Sequence, residues 1–170
     1  MRDVTHTDKL GRVAEDIAII KLSTLFKDCI VSHVVNNQLH DIEIRKKDEA
    51  LTKGICRIQV KATNSKGVVG GHQFYLVAIH HGSREKKVYY EREDTDFFLF
   101  YVFPEGKFYV VPTDAVNGKS GTKLYVGLPK PKQARAIYEK YLEAWWLIAK
   151  FLGISTKEEQ NNKSMTFTLS

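Results

Sequence analysis

The sequence predicts an α/β fold, a mixed β-sheet flanked by helices. Apolar residues recur at helical spacing near both ends of the chain. The segment between them contains runs that alternate polar and apolar residues, and one run that is almost continuously apolar. Short polar or glycine-containing connections separate these runs, as in β-hairpins. The order of helix, hairpin strands and helix favours a sheet with helices packed against it.

The composition predicts one domain over residues 1–154, followed by a polar tail over residues 155–170. The chain has 170 residues, which is enough to bury a core without disulfides. Cys29 and Cys56 lack zinc-site spacing, so we expect reduced thiols and a cytoplasmic protein. No apolar run approaches the roughly 20 residues of a membrane span, and we expect no membrane partner. The net charge of +6 favours a polyanionic partner.

The first helix is predicted from about Asp8 to Phe26. Its apolar residues at helical spacing are Leu10, Val13, Ala14, Ile17, Ile20 and Leu25. Glu15 lies on a separate line, one turn after Gly11, where another group has room to approach its carboxylate. Considered alone, Glu15 is better explained as a solvated carboxylate on a helix surface.

A hairpin follows a β-branched strand at residues 29–35. Side chains in a strand alternate between faces, so Asp41 and Glu43 share one face. By the same rule, Gln59 and Lys61 share one face of the strand over residues 56–63. The connection between the two runs is polar and ends in a glycine, which is typical of a hairpin. Pairing of these strands would bring a carboxylate, an amide oxygen and an ammonium group together.

The second half of the chain predicts three more strands and a helix. Residues 72–79 form one strand, and residues 97–103 form a strand buried on both faces, paired in a hairpin with residues 108–112. The last helix is predicted over residues 134–152. Three apolar residues broaden its apolar stripe, which indicates either a subunit contact or a wide core face: Trp146, Leu147 and Phe151.

The residues of the hairpin suit the hydrolysis of a phosphodiester. Mg²⁺ prefers hard oxygen ligands, which Asp41, the side chain of Gln59 and the backbone carbonyl of Val60 can supply. Lys61 can hold or deprotonate the attacking water and can counter the phosphate charge, provided that its pKa is lowered for the proton transfer. Glu15 can bind a metal-bound water or a second ion. Mn²⁺ is a possible substitute for Mg²⁺.

Together these residues resemble the PD-(D/E)XK nuclease superfamily. Within it, the chain is most similar to the intron-encoded homing endonucleases of cyanobacterial type, which carry glutamine at the second acidic position. The resemblance covers about Asp8 to Val116. It rests on Gly11-x-x-x-Glu15, Asp41-x-Glu43, Arg57-Ile58-Gln59-Val60-Lys61, Asp96-Phe97-Phe98 and Tyr109-Val110-Val111-Pro112.

The resemblance implies a restriction-endonuclease-like core and Mg²⁺-dependent cleavage of specific double-stranded DNA by a homodimer or tetramer. It assigns metal binding to Asp41 and Gln59, water activation to Lys61, and metal or water support to Glu15. His40 stands where the superfamily usually has proline. Its position beside Asp41 would also suit a general base or a group supporting the site, but this is the less favoured interpretation. A neutral ligand at Gln59 predicts weaker metal affinity than an acid would give.

The remaining basic residues are candidates for phosphate contacts, although solvated loops explain them equally well. They are Lys66, Arg84, Lys86 and Lys87. Lys66 lies in a glycine-rich stretch, residues 65–71, that we expect to be a flexible loop. Two alternatives to a site-specific DNA endonuclease remain open. One is a nuclease-fold domain with a weak or inactive site that serves in nucleic-acid binding or assembly, and the other is a restriction or repair nuclease.

Overall fold

The fold contains two helices and ten strands within the part of the chain that this computed structural model describes, residues 6–35, 39–48, 54–82, 87–129 and 136–155. In chain order the elements are α1 (His6–Leu25), β1 (Cys29–His33), β2 (Ile42–Lys46), β3 (Cys56–Thr63), β4 (Lys66–Val69), β5 (His72–Ala78), β6 (His80–Gly82), β7 (Lys87–Tyr89), β8 (Phe97–Val102), β9 (Lys107–Pro112), β10 (Gly121–Leu124) and α2 (Trp146–Phe151). Short 3₁₀ turns cover Phe103–Glu105, Thr113–Ala115 and Glu139–Tyr141.

The central sheet has five strands in the order β1-β2-β3-β8-β9. Strands β3 and β8 are parallel, and the other neighbouring pairs are antiparallel. A second sheet has the order β10-β5-β4, and β6 pairs with β7. The predicted α/β fold with a mixed sheet is therefore confirmed, and the hairpin that joins β2 to β3 is present as expected.

Helix α1 packs on one face of the central sheet through a line of small and apolar residues. Ala14, Ala18 and Leu22 are fully buried. They are spaced four residues apart, and the two alanines let the helix approach the sheet closely. Val13 and Ile20, which belong to the predicted stripe, are exposed instead. The contact line is therefore narrower than the sequence pattern suggested.

Strand β8 is the centre of both hydrophobic cores. All six of its residues are buried, as predicted for a strand covered on both faces. Phe97, Leu99 and Tyr101 belong to the core beneath the helices. The residues between them belong to the core beneath the second sheet, where Tyr75 of β5 also packs. The two-residue alternation of a strand thus divides one apolar run between two cores.

The prediction of one long final helix is wrong. Helix α2 covers only Trp146–Phe151, and most of the described chain before it is a 3₁₀ turn or irregular. Glu143 has a positive φ of 50°, which no α-helix permits. Its backbone N–H donates to the carbonyl of Phe108 at 2.8 Å, and its carboxylate accepts from the Phe108 N–H at 2.8 Å. Pairing with β9 therefore replaces the helical hydrogen bonds at this point.

Two further expectations concern the surface and the tail. The stretch predicted as a flexible loop, residues 65–71, instead forms β4 and the turn into β5. The predicted tail lies almost entirely outside the described residues, which end at Ser155.

Cys29 and Cys56 are free, buried thiols, and burial raises the pKa of each. No helix among the described residues is long and apolar enough to cross a membrane.

Candidate active site

The candidate site lies where β2 and β3 stop pairing. The last residue pair of this ladder is Ile42 with Ile58. The backbone N–H of Asp41 donates to the carbonyl of Ile58 at 2.9 Å. Two residues farther along β3, the Asp41 carboxylate accepts the N–H of Val60 at 2.7 Å. A side chain thus takes the position of a backbone partner, and the sheet opens beside it.

Gln59 fills the space between two acceptor oxygens. It is buried, with 6% of its surface exposed. Its amide nitrogen donates to Oδ2 of Asp41 and to the carbonyl oxygen of Val60, the latter at 3.1 Å. A carboxylate oxygen and a backbone carbonyl therefore converge on one point, and both are ligands that Mg²⁺ accepts. The residues present fit a hard cation.

The orientation of the Gln59 amide differs from the expected one. The sequence predicted that its oxygen would face the site, whereas its nitrogen does. Two acceptors favour a donor between them, because a buried carbonyl or carboxylate without a hydrogen bond is costly. Rotation of the terminal amide would bring the oxygen to the same place.

The carboxyl group of Asp41 is hard to ionise in this setting. Burial raises its pKa from 3.8 to about 6, and the negative charge of Glu15 contributes to the rise. The hydrogen bond from Val60 and the positive charge of Lys61 oppose it. A second positive charge at the site would therefore favour the ionised form of Asp41 further.

Lys61 points to the same side of β3 as Gln59 and lies over an aromatic ring. Its Nζ is 5.1 Å from the centroid of the Tyr90 ring, a cation–π distance. Burial lowers the pKa of Lys61, while Asp41 and Glu15 act against that shift. Tyr90 is buried and packs edge-on against Phe98, with ring centroids 5.1 Å apart. No motif pointed to Tyr90, which follows Val88 and Tyr89 in a segment that is otherwise mostly polar and charged.

Glu15, on α1, acts electrostatically on the residues of the site. It influences the pKa of both Asp41 and Lys61. Its Oε2 lies 3.0 Å from Nε2 of His33, at the end of β1. A Cβ placed on Gly11 would meet nothing within 4 Å, so the predicted space one turn before Glu15 is present. His33 was missed, because only the folded chain brings β1 beside this turn of the helix.

Two other polar pairs flank the site. His40, which is largely buried, has its Nε2 3.0 Å from Oε1 of Glu43. Glu43 is thus engaged with His40, and among the contacts described it makes none with Asp41. Arg57 donates through Nε and Nη2 to the carboxylate of Asp96, at 3.2 and 3.1 Å. This paired contact joins the start of β3 to the residue before β8, two residues from Gln59.

The described residues contain no group of three or more His, Cys, Asp or Glu side chains that could hold a metal ion. The candidate ligands are instead one carboxylate, one amide and one backbone carbonyl, with Glu15 nearby.

Of the residues predicted to contact phosphates, Lys66 is exposed in β4, and its Nζ is 5.3 Å from the centroid of the Tyr75 ring. Lys87 begins β7. Arg84 and Lys86 lie outside the described residues.

Comparison with known proteins gives the family. The sequence profile of the PD-(D/E)XK endonucleases matches residues 5–148. This chain belongs to the PD-(D/E)XK endonuclease family. The predicted resemblance is therefore confirmed, and membership makes the protein an endonuclease, a hydrolase of phosphodiester bonds. Nucleases of this family generally use divalent metal ions. Curated protein sequences include no match.

A solved structure supports the same fold. The bacterial homing endonuclease I-Ssp6803I aligns with a TM-score of 0.66 and 24% identity. The alignment covers 86% of this chain and 95% of that one. At this level of identity the likeness concerns the fold, and it extends over nearly the whole of the other protein.

The buried Asp41 predicts a pH dependence of stability that Asp41→Asn removes. Its pKa of about 6 exceeds the unfolded value, so folding favours the protonated form. That stabilisation is complete below about pH 4 and is lost as the pH rises through about 6. The free energy of unfolding of Asp41→Asn should not show this loss. Its difference from the wild-type value should therefore rise by on the order of 1–3 kcal/mol between acidic and neutral pH. Urea denaturation of both proteins across this range, with a chelator present, measures the difference. Equal pH dependence would contradict the buried acid.

Proposed function

We propose that the protein is a Mg²⁺-dependent endonuclease that cleaves double-stranded DNA at a specific site, in the manner of homing endonucleases. The observation that supports this proposal best is the convergence of the Asp41 carboxylate and the Val60 carbonyl on the Gln59 side chain. Lys61 lies on the same face of β3, and Glu15 lies within electrostatic range. In a PD-(D/E)XK endonuclease, this group of residues combines oxygen ligands with a cationic side chain beside the middle strand of the central sheet.

Three groups would hold the metal ion. They are the carboxylate of Asp41, the carbonyl of Val60 and, after rotation of its amide, the oxygen of Gln59, with Glu15 supporting from α1. When bound, Mg²⁺ supplies Lewis acidity and orients the attacking water. Mn²⁺ should substitute because it favours the same oxygen ligands.

Lys61 would act on the water and on the phosphate. The partial burial that lowers its pKa brings it closer to the neutral form that accepts a proton. In the charged form its Nζ donates hydrogen bonds to a phosphate oxygen and offsets negative charge. The Tyr90 ring, 5.1 Å away, restricts the ammonium group without removing its hydrogen-bond donors.

The DNA and a second subunit would complete the enzyme. Lys66, Arg84, Lys86 and Lys87 are the candidate phosphate contacts, and the net charge of +6 agrees with a polyanionic substrate. One site per chain cuts one strand, so a homodimer or a dimer of dimers would present sites to both strands. Trp146 and Phe151 are 45% and 48% exposed on α2, which makes this helix the candidate subunit contact. Leu147, predicted with them, packs against the core instead.

One observation favours a second candidate function. The neutral Gln59 satisfies both acceptor oxygens by itself, which stabilises the site without a cation. A domain with such a site could serve in nucleic-acid binding or assembly with little or no cleavage. A restriction or repair nuclease would differ from the first proposal in its substrate alone. Cleavage assays separate the binding domain from either nuclease.

The first expected outcome concerns cleavage. Asp41→Ala and Lys61→Ala should each lower Mg²⁺-dependent cleavage of plasmid or genomic DNA by more than about 100-fold, because each removes a group that acts at the reacting phosphate. Circular dichroism should show that the overall fold is largely intact. Asp114→Ala is the matched control, since this carboxylate is exposed and lies outside the site. Wild-type rates in either site variant would eliminate the mechanism, and an inactive wild type would favour the binding domain.

The second concerns Gln59. Gln59→Ala should raise the Mg²⁺ concentration that half-saturates binding, since one oxygen ligand is lost. Gln59→Glu should lower it, yet in chelator the same variant should unfold at lower urea concentration because two carboxylates then face each other. Calorimetric titration with Mg²⁺ and urea denaturation measure the two effects independently of activity. Identical Mg²⁺ affinity in all three proteins would exclude Gln59 from the metal site.

The third concerns assembly. Light scattering at micromolar concentration should give the mass of a dimer or tetramer. Trp146→Lys and Phe151→Lys should reduce that mass, because a lysine at an apolar contact is unfavourable. Leu76→Lys is the control, since Leu76 is equally exposed but lies on the second sheet. A monomeric mass, with and without DNA, would rule out the proposed assembly.

A further inference from the structure

Strands β4 and β5 form an antiparallel ribbon with exposed side chains at its end. Gly70 and Gly71 make the two-residue turn, and both have positive φ, 56° and 77°, as a type I′ hairpin requires. Val68 and Val69 are 64% and 52% exposed. Their cross-strand partners, Gln73 and His72, are exposed as well. The end of the ribbon therefore presents four side chains that make little contact with the core.

The ribbon stands on the side of the central sheet that carries the candidate site. Phe98 and Phe100 of β8 are the cross-strand partners of Gln59 and Lys61. They share a hydrophobic core with Tyr75 of β5. The ribbon also follows β3 directly, since only two residues separate the two strands. A duplex that reached Lys61 would consequently pass close to the ribbon.

The base of the ribbon is fixed by aromatic packing. The Phe74 ring fills the space where a side chain at Gly67 would lie, because a Cβ there would be 2.6 Å from the ring. Lys123 lies over the same ring at 4.5 Å from its centroid. The Tyr75 hydroxyl donates to the carboxylate of Glu105 at 2.7 Å. A fixed base with an exposed end suits an element that inserts into a partner.

The charge pattern of the sequence that contains the ribbon is the argument for the partner. From Ala50 to Arg84 the sequence contains no Asp or Glu, but it contains five Lys or Arg residues and three His residues. Lys66 opens the ribbon, and its Nζ is held 5.3 Å from the centroid of the Tyr75 ring. A long acid-free stretch of positive charge is complementary to a phosphate backbone. Exposed valines beside glutamine and histidine add groups that can contact base edges.

We propose that the end of the β4–β5 ribbon enters the major groove of duplex DNA beside the cleavage site and reads base sequence. A two-stranded ribbon fits this groove, which is about 12 Å wide. Gln73 donates to and accepts from base edges, its cross-strand neighbour Val68 contacts thymine methyl groups, and Lys66 contacts phosphate. This inference rests on the proposed function, because it names the surface by which that enzyme selects its DNA.

Sequence selection by the bound protein tests the proposal. Full-length protein in chelator is mixed with short DNA duplexes of randomised sequence, and the bound pool is sequenced. Wild type should enrich one sequence and protect guanine N7, a major-groove atom, from dimethyl sulfate. Gln73→Ala and Val68→Ala should lower the preference at a few adjacent positions by about tenfold and lose N7 protection there. Asn117→Ala, an exposed amide outside the ribbon, is the control and should match wild type.

Lys66→Gln gives a different expected result. It should weaken binding to all sequences alike and reduce the slope of log affinity against log salt by about 1. Unchanged preference and N7 protection in both Gln73→Ala and Val68→Ala would overturn the proposal. So would a fall in oligomer mass in Val68→Ala with the preference intact, since a second copy of the chain would then cover the ribbon.

Failure of the ribbon proposal differs from failure of the proposed function. If wild type cuts DNA at one site and the ribbon variants cut at that site with undiminished selectivity, the ribbon proposal is overturned and the enzyme is not. If wild type selects and protects a sequence but never cuts it with Mg²⁺, the endonuclease proposal fails while the ribbon still reads DNA. Thermal unfolding of each variant verifies that these exposed substitutions leave the fold intact.

Discussion

The hydrogen bond between the Asp41 carboxylate and the Val60 N–H determines how the candidate site is built. It ends the pairing of β2 with β3 and satisfies the next donor on β3 with a side chain. An ordinary strand residue here would continue the ladder and leave no opening. The same carboxylate oxygen also accepts from Gln59, so one acid both terminates the sheet and forms the site. Replacement of this residue therefore alters local structure as well as chemistry.

The site combines groups that are unfavourable in isolation. Burial disfavours the charge of Asp41 and the charge of Lys61, and each partly compensates the other. The Gln59 amide supplies a neutral donor to the two acceptor oxygens, so the folded chain has no orphaned acceptor there. A second acid in place of Gln59 would make the metal-free protein more strained.

The sequence predicted the parts of the fold that depend on local pattern. Alternation identified the β2–β3 hairpin and placed Gln59 and Lys61 on one face, and the continuous apolar run identified β8. The last helix was predicted wrongly because Glu143 pairs with Phe108, a contact that no periodicity reveals. Tyr90 and His33 were missed for the same reason, since each meets its partner only after distant strands assemble. The amide orientation of Gln59 depends on two oxygens that only the folded structure brings together.

The parallel pairing of β3 with β8 bears on the order in which the protein folds. These strands are about forty residues apart in the chain, and the second sheet's β4–β5 hairpin lies between them. Pairing these strands is slow, because a long loop must close before any contact compensates for the lost chain entropy. The β2–β3 and β8–β9 hairpins are local and should form faster. The aromatic residues that back Gln59 and Lys61 come from β8, so a nascent chain that stops before β8 lacks them. The candidate site would then be completed only after β8 has been synthesised and has paired with β3.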